Sequence, residues 1–195
     1  TVRALRITYA GELGWELHGA KGHALAVYDA LMAAGEPHGI ANAGYRTIES
    51  LRLEKGYRAW GADIGPDYTP FEAGLGWAVK LKSNMPFMGR EAVGNKKAAV
   101  QNKQLACFTV DGVENVLLGR ETIYRDGERV GWLSSAGWGY TLGKNIGFGY
   151  VRNADGVSED YLTSGTYELE VATQRIPCTI HTEPLYDPTM SRVKV

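Results

Sequence analysis

The chain has 195 residues, of which 44% are hydrophobic and 22% charged, a composition typical of an ordinary globular protein that is long enough to bury a core. Its 21 basic and 22 acidic side chains nearly cancel, to a formal net charge of −1, which disfavours non-specific binding to nucleic acid or to an anionic membrane. The longest mostly apolar stretch, residues 24–34, contains Asp29 and is shorter than the about 20 residues that a membrane-spanning helix needs. We therefore expect neither a nucleic-acid partner nor a membrane partner.

The first half of the chain contains short strand patterns. Residues 5–9 and 15–18 alternate apolar and polar side chains on either side of a glycine-rich turn, which predicts two short strands. Residues 77–81 alternate in the same way after the Thr69-Pro70 turn and predict another strand.

Two helices are predicted between these strands. Apolar residues at helical spacing predict one helix over residues 23–34 and a second over residues 43–55. Asn42 is a candidate N-cap of the second helix, since its side chain can accept a hydrogen bond from a free backbone N–H. The pattern places Ile48 and Leu51 on the inner face of that helix.

Composition changes at the polar stretch 95–97, which we interpret as a domain boundary between residues 1–95 and residues 96–195. The second half consists of short strand patterns with regular turns, and Asp126-Gly127 is a strong hairpin signal. The six predicted strands cover residues 105–110, 122–125, 129–133, 146–151, 167–171 and 176–181. The predicted fold class is α+β, a mixed α/β portion followed by a small antiparallel β-barrel.

The cysteines and histidines predict neither a disulfide nor a metal site. Cys107 and Cys178 both lie within alternating apolar runs, which favours two buried thiols. The four histidines, His18, His23, His38 and His181, lack the spacing of metal ligands.

Three stretches of the first half are distinctive in order and spacing: YAGELGWE at 9–16, AGYRTIESLRLEKGY at 43–57, and GAD with TPFEAGLGW within 61–77. Together they resemble the T-protein (aminomethyltransferase) of the glycine cleavage system. Three stretches of the second half are similar to the version of this protein that is fused to dimethylglycine and sarcosine dehydrogenases. They are LLG at 117–119, GWGYTLGK at 137–144 and EPLYDP at 183–188.

The resemblance implies the C-terminal, folate-binding portion of a tetrahydrofolate-dependent demethylase that acts on a methylated amine. A flavin-containing region would oxidise the N-methyl group, and tetrahydrofolate would capture the one-carbon unit. The 195 residues contain no G-x-G-x-x-G fingerprint for FAD, and the assisting acid of the family precedes the first motif. We expect FAD, the amine site and any catalytic residue in an N-terminal remainder of the same protein, which is also the expected partner, and we expect this portion alone to be inactive.

Two alternatives stay open. One is a fragment of a stand-alone aminomethyltransferase. The other is a non-catalytic regulatory protein resembling the regulatory subunit of pyruvate dehydrogenase phosphatase. The resemblance implies a location in the bacterial cytoplasm or the mitochondrial matrix.

The resemblance implies that Glu12 binds the pterin ring of tetrahydrofolate. A carboxylate can accept two hydrogen bonds from the adjacent amino and ring N–H donors of a pterin, which is a strong geometry. Gly11 and Gly14 allow a tight turn around it. The alternative is a plain turn with an exposed acid, and Glu16 on the following strand is interpreted as structural.

Arg46, Tyr9 and Trp77 are the other candidate folate-binding residues. The resemblance places a folate-contacting arginine at Arg46, whose guanidinium suits a carboxylate or a ring carbonyl, and we expect Arg46 and Glu12 to face one cleft. Tyr9 and Trp77 could sandwich the flat pteridine or aminobenzoyl ring, with packing in the core as the alternative for each. Arg52 is interpreted as an internal partner of Glu49 or Glu54.

Overall fold

The computed structural model describes residues 1–194. In the first half, strand β1 (Arg3–Leu5) pairs antiparallel with strand β2 (Glu16–His18) in a two-stranded sheet. The helices are α1 (Ala24–Gly35), α2 (Tyr45–Glu54) and α3 (Arg90–Ala98), with one-turn 3₁₀ helices at Lys21–His23, Glu36–His38 and Gly76–Ala78. The predicted helix over residues 23–34 is confirmed as α1.

The second half is a closed six-stranded antiparallel barrel with the strand order β3-β6-β5-β4-β7-β8. The strands are β3 (Lys103–Val110), β4 (Thr122–Arg125), β5 (Glu128–Gly139), β6 (Lys144–Arg152), β7 (Tyr167–Val171) and β8 (Gln174–His181), with helix α4 (Glu159–Ser164) before β7. The barrel core contains Phe108, Ile123, Leu133, Val151 and Leu169. The predicted α+β fold class with a small antiparallel barrel is confirmed.

The hairpin signal is also confirmed. Asp126 and Gly127 form the two-residue connection between β4 and β5, and Arg125 pairs with Glu128 across it. Both turn residues have positive φ, 51° and 86°, the conformation that a two-residue turn needs to match the twist of the strands.

Two predicted strands are wrong. The first strand ends at Leu5, and residues 9–13 form a series of bends. Trp77 lies in a 3₁₀ turn, because the amide of Ala78 donates to the carbonyl of Leu75, and the amide of Leu75 donates to that of Pro70. Local turn bonds therefore occupy the backbone groups that a strand ladder would have used.

Helix α2 differs from the prediction at its N-terminus and on its inner face. It begins at Tyr45 after Gly44, and no side chain caps it. The Asn42 side chain donates instead to the Tyr28 hydroxyl, 2.7 Å away. Ile48 is 40% exposed, and the buried face carries the charged side chains of Arg52 and Glu54. Hydrophobic periodicity could not predict this buried charged face, because the method takes the apolar side of a helix to be its inner side.

The polar stretch 95–97 lies in the last turns of α3. Cys107 is buried and Cys178 partly buried, both as free thiols. Burial raises the pKa of each thiol to about 12. Within residues 1–194 no helix is long and apolar enough to span a bilayer, and no cluster of three potential metal ligands occurs there.

Candidate functional site

An open groove of about 600 Å³, here called the aromatic groove, lies between the first half of the chain and its C-terminal segment. It is lined by Thr8, Tyr9, Lys55, Gly56, Tyr57, Arg58, Ile64, Leu75, Trp77, Pro184, Pro188 and Met190. The structure therefore brings together two of the four candidate folate-binding residues, Tyr9 and Trp77.

The two aromatic candidates are held differently. Tyr9 donates through its hydroxyl to the carbonyl of Arg58, 3.0 Å away, and its ring stacks on Tyr57 with centroids 6.0 Å apart and planes 13° apart. Burial raises the pKa of both phenols, so each stays a neutral hydroxyl at physiological pH. Trp77 is 80% exposed on its 3₁₀ turn. The groove thus has one fixed aromatic pair and one ring free to contact a ligand.

Glu12 lies in the turn between β1 and β2, next to the C-terminal segment. Its carboxylate accepts a hydrogen bond from the Tyr186 hydroxyl, which raises the pKa of that phenol. Gly11, one residue earlier, has a φ of +82°, and a Cβ there would lie 2.7 Å from Cγ of Lys55. Only glycine fits this position without displacing the lysine stem. Glu12 is not among the residues that line the aromatic groove.

Arg46 lines a different groove, of about 520 Å³, between α2 and the β5–β6 hairpin, together with Glu49, Trp138 and Tyr140. The expected common cleft of Glu12 and Arg46 is therefore not observed. Arg46 stands in the first turn of α2, whereas Lys55, on which the Glu12 turn packs, follows its last turn. Nine residues at 1.5 Å each separate the two positions by about 14 Å along the helix.

Arg52 is the centre of a buried charge cluster. Its Nε and Nη2 donate to Glu49 Oε2, at 3.1 and 2.9 Å, and its Nη1 donates to Asp63 Oδ2 at 2.7 Å. The expected pairing with Glu49 is confirmed. Glu54, the other expected partner, accepts instead from the backbone amides of Thr141 and Leu142 in the β5–β6 hairpin.

Sequence reasoning assigned no role to Asp63, which is fully buried. Its Oδ1 accepts hydrogen bonds from the hydroxyls of Ser134 and Ser135 on β5, and its Oδ2 also accepts from the Ala59 amide. Its backbone carbonyl accepts from the Tyr150 hydroxyl on β6. The Asp63 side chain thus joins α2 to the barrel. Its position within the GAD motif was the one feature of the sequence that could have indicated a role for it.

The sequence marked EPLYDP at 183–188, but not the role of the C-terminal strap, residues 183–192, in the site. Lys55 Nζ donates to Asp187 Oδ2 and to the Asp187 carbonyl, both at 2.7 Å. The backbone amide of Tyr186 donates to the carbonyl of Glu54, 3.0 Å away. The hydrogen bond from Lys55 is the main reason why the pKa of Asp187 is lowered from its ordinary value. The strap thereby supplies one wall of the aromatic groove.

Residues 1–83 match the family model described as the GCVT N-terminal domain, and residues 103–187 match the glycine cleavage T-protein C-terminal barrel domain. The chain belongs to the glycine cleavage T-protein family. A crystal structure of the glycine cleavage system aminomethyltransferase T from Bartonella henselae is similar, with a TM-score of 0.80 and 25% identity. That match covers 95% of this chain and 50% of the other.

Longer family members are also similar. The mitochondrial sarcosine dehydrogenase of Mus musculus is 46% identical over 99% of this chain, and the mitochondrial dimethylglycine dehydrogenase of Homo sapiens is 37% identical over 99%. The chain spans 21% and 22% of their lengths, about a fifth of each. These relatives are enzymes, and both carry a mitochondrial location in their names.

Proposed function

We propose that this chain is the C-terminal, folate-binding portion of a tetrahydrofolate-dependent demethylase of the sarcosine or dimethylglycine dehydrogenase type. The observation that carries the proposal is the aromatic groove, in which Tyr9 and Trp77 stand together. In this proposal an N-terminal remainder with FAD oxidises the methylated amine. Bound tetrahydrofolate would accept the released one-carbon unit as 5,10-methylenetetrahydrofolate.

The residues of the groove fit a flat, partly polar ring. A volume of about 600 Å³ is within the range of small-molecule sites, of about 300–1,000 Å³. Trp77 offers an exposed indole face for stacking, and the stacked rings of Tyr9 and Tyr57 form part of the same lining. Holding the folate beside the oxidation site would let it capture the reactive carbon before water does, and proximity of this kind is a large catalytic effect.

Glu12 and Arg46 are proposed at the edges of this site. Glu12 stands beside the strap, and its second carboxylate oxygen could accept from the pterin N–H groups. Arg46 opens onto the neighbouring groove, where its guanidinium could pair with a carboxylate of the folate tail.

Exposed apolar side chains in the first half support the proposal that further protein packs against it. Leu17 on β2 and Tyr28 and Leu31 on α1 line one common groove and are 44%, 45% and 44% exposed. Clusters of exposed apolar groups of this kind mark interaction surfaces. We propose the N-terminal remainder of the same protein as the partner, and the mitochondrial matrix or the bacterial cytoplasm as the location.

Calorimetric titration of 5-formyltetrahydrofolate into the full-length protein tests this function. A Trp77→Ala variant should bind roughly tenfold more weakly, because it loses a stacking surface worth about 1–2 kcal/mol. Trp60→Ala is the matched control, since Trp60 is also exposed, at 74%, but does not line the groove. A wild-type protein that binds no folate would overturn the proposal and favour the non-catalytic regulatory alternative.

A further inference from the structure

The strap lies along the aromatic groove. Pro184, Pro188 and Met190 all line the groove, and Asp187 stands between them in the sequence. Leu185 packs against the hydrophobic cluster under α2, which anchors the start of the strap independently of any charge. The course of the strap beyond Leu185 therefore depends on its polar contacts.

Those polar contacts converge on Asp187. Lys55 Nζ donates to its Oδ2 and to its backbone carbonyl, both at 2.7 Å. The amides of Ser191 and Arg192 donate to its two carboxylate oxygens, at 2.9 and 3.1 Å. One carboxylate thus fixes the strap to α2 and also closes the strap's own last turn.

Lys55 also packs against the Gly11–Glu12 turn, which directly follows the groove-lining residues Thr8 and Tyr9. The backbone of Gly11 lies so close to the lysine stem that a Cβ there would be 2.7 Å from Lys55 Cγ. The side chain of Lys55 is fully buried. A buried ammonium needs its counter-charge, so Lys55 cannot keep this position without Asp187. The hydrogen bond from Tyr186 to Glu12 adds a second link between the strap and the same turn.

We propose that Lys55 and Asp187 are positioning residues for the aromatic groove: their ion pair holds the strap and the Gly11–Glu12 turn at the spacing that the ligand requires. Neither residue needs to contact the reacting atoms. The inference rests on the proposed function only for the identity of the ligand, a reduced folate. The ordering of the strap by the pair is inferred only from the contacts of Lys55 and Asp187.

The pair is suited to positioning because its loss is local. Removing it leaves the strap attached through Leu185, and leaves the closed barrel and the Arg52–Asp63 pair intact. The expected effect is a loosened strap and turn around a folded protein. Ligand affinity then falls, because the ligand must order the loosened strap when it binds and this ordering costs conformational entropy.

The test uses the full-length protein with the variants Lys55→Met, which keeps an unbranched apolar chain, and Asp187→Asn, which keeps size. Lys144→Met is the matched control, because Lys144 Nζ lies 2.8 Å from Asp111 Oδ1 in an ion pair on the barrel surface. Hydrogen–deuterium exchange reports on residues 183–192 and 9–14, and calorimetry measures the Kd of 5-formyltetrahydrofolate.

We expect both variants to exchange at least tenfold faster in the strap and the turn, with barrel exchange unchanged, and to bind the folate about tenfold more weakly. The double variant should bind no more weakly than the single ones, because the two residues act as one pair. The Lys144→Met control should match wild type in both measurements.

Unchanged exchange in the strap of both variants would overturn the inference. Faster exchange with an unchanged Kd would likewise overturn the positioning role. If Lys55→Met does not fold, Asp187→Asn alone decides both measurements. If the wild-type protein binds no folate, the proposed function fails, and the exchange data still decide whether the pair orders the strap and the Gly11–Glu12 turn.

Discussion

Nη1 of Arg52 lies 2.7 Å from Oδ2 of Asp63, and both side chains are closed to solvent, at 2% and 0% exposure. Arg52 belongs to α2, whereas Asp63 accepts hydrogen bonds from two serines of β5. The ion pair therefore connects the helix that borders the candidate site to the barrel. A buried pair of this kind contributes little net stability compared with apolar packing, but removing one partner is costly.

The first prediction follows from that asymmetry. Arg52→Met leaves the Asp63 carboxylate buried without its cation, so the free energy of unfolding should fall by about 3–5 kcal/mol. Urea denaturation measures the loss. Lys144→Met breaks a pair whose side chains are 45% and 83% exposed, and should cost less than about 1 kcal/mol. Equal losses in the two variants would contradict the role of Arg52.

The barrel could be predicted from sequence, because each of its strands is marked by local signals. Alternation defines the strands, and Asp126-Gly127 defines a two-residue turn whose backbone conformation few other residues adopt. The strand predicted at Trp77 failed for the opposite reason. Alternation alone does not show whether a neighbouring strand is available, and in the structure the backbone is satisfied by local turns.

The candidate site was less predictable because its contacts are distant in sequence. Lys55 and Asp187 are 132 residues apart, and Glu12 and Tyr186 are 174 residues apart. No periodicity reports such pairs. The motifs identified Tyr9 and Trp77, which do share a groove, and EPLYDP marked residues 183–188, but the motifs did not show that this segment lines the same groove or contacts Lys55.

A second prediction concerns Glu12. In the full-length protein, Glu12→Gln places an amide N–H where the proposed pterin donors need an acceptor, so folate affinity should fall roughly 30- to 150-fold, or about 2–3 kcal/mol. Calorimetric titration of 5-formyltetrahydrofolate measures this. Glu36→Gln, an exposed acid after α1, is the control. Wild-type affinity in Glu12→Gln with weakened binding in Glu16→Gln would transfer the role to Glu16.

The third prediction is that the 195 residues expressed alone are colourless and do not oxidise methylated amines. The sequence contains no G-x-G-x-x-G fingerprint, and the proposed function places FAD and the amine site in an N-terminal remainder. An absorbance spectrum over about 350–500 nm, where flavins absorb, tests for bound flavin. Oxygen uptake with sarcosine or dimethylglycine tests for amine oxidation. Co-purifying flavin, or oxygen uptake that depends on the amine, would show the prediction to be wrong.

The domain boundary remains a prediction, and limited proteolysis tests it. Residues 95–102 should be cut first, because Val100 is 70% exposed and the backbone becomes extended at Ala99, where α3 ends. Strand β3 should be protected by its pairing with β6 and β8. Early cleavage within residues 105–110 while 95–102 stays intact would argue against the boundary.

The last prediction concerns pH and Asp187. Its hydrogen bonds from Lys55 and Ser191 lower its folded-state pKa below the ordinary value of about 3.9. A group with a lowered pKa in the folded state contributes stability above its unfolded pKa and loses it as pH falls toward the folded pKa. The stabilisation of the strap should therefore be constant near neutrality and decline below about pH 4.

Comparing wild type with Asp187→Asn from about pH 7 to pH 3 isolates this effect, because the neighbouring charges of Glu12 and Arg192 are present in both proteins. Hydrogen exchange in residues 183–192, corrected for the intrinsic pH dependence, should be slower in wild type by a constant factor above about pH 5. That factor should shrink as the carboxyl of Asp187 is protonated. A factor that stays constant down to pH 3, or grows, would mean that the Asp187 carboxylate does not hold the strap.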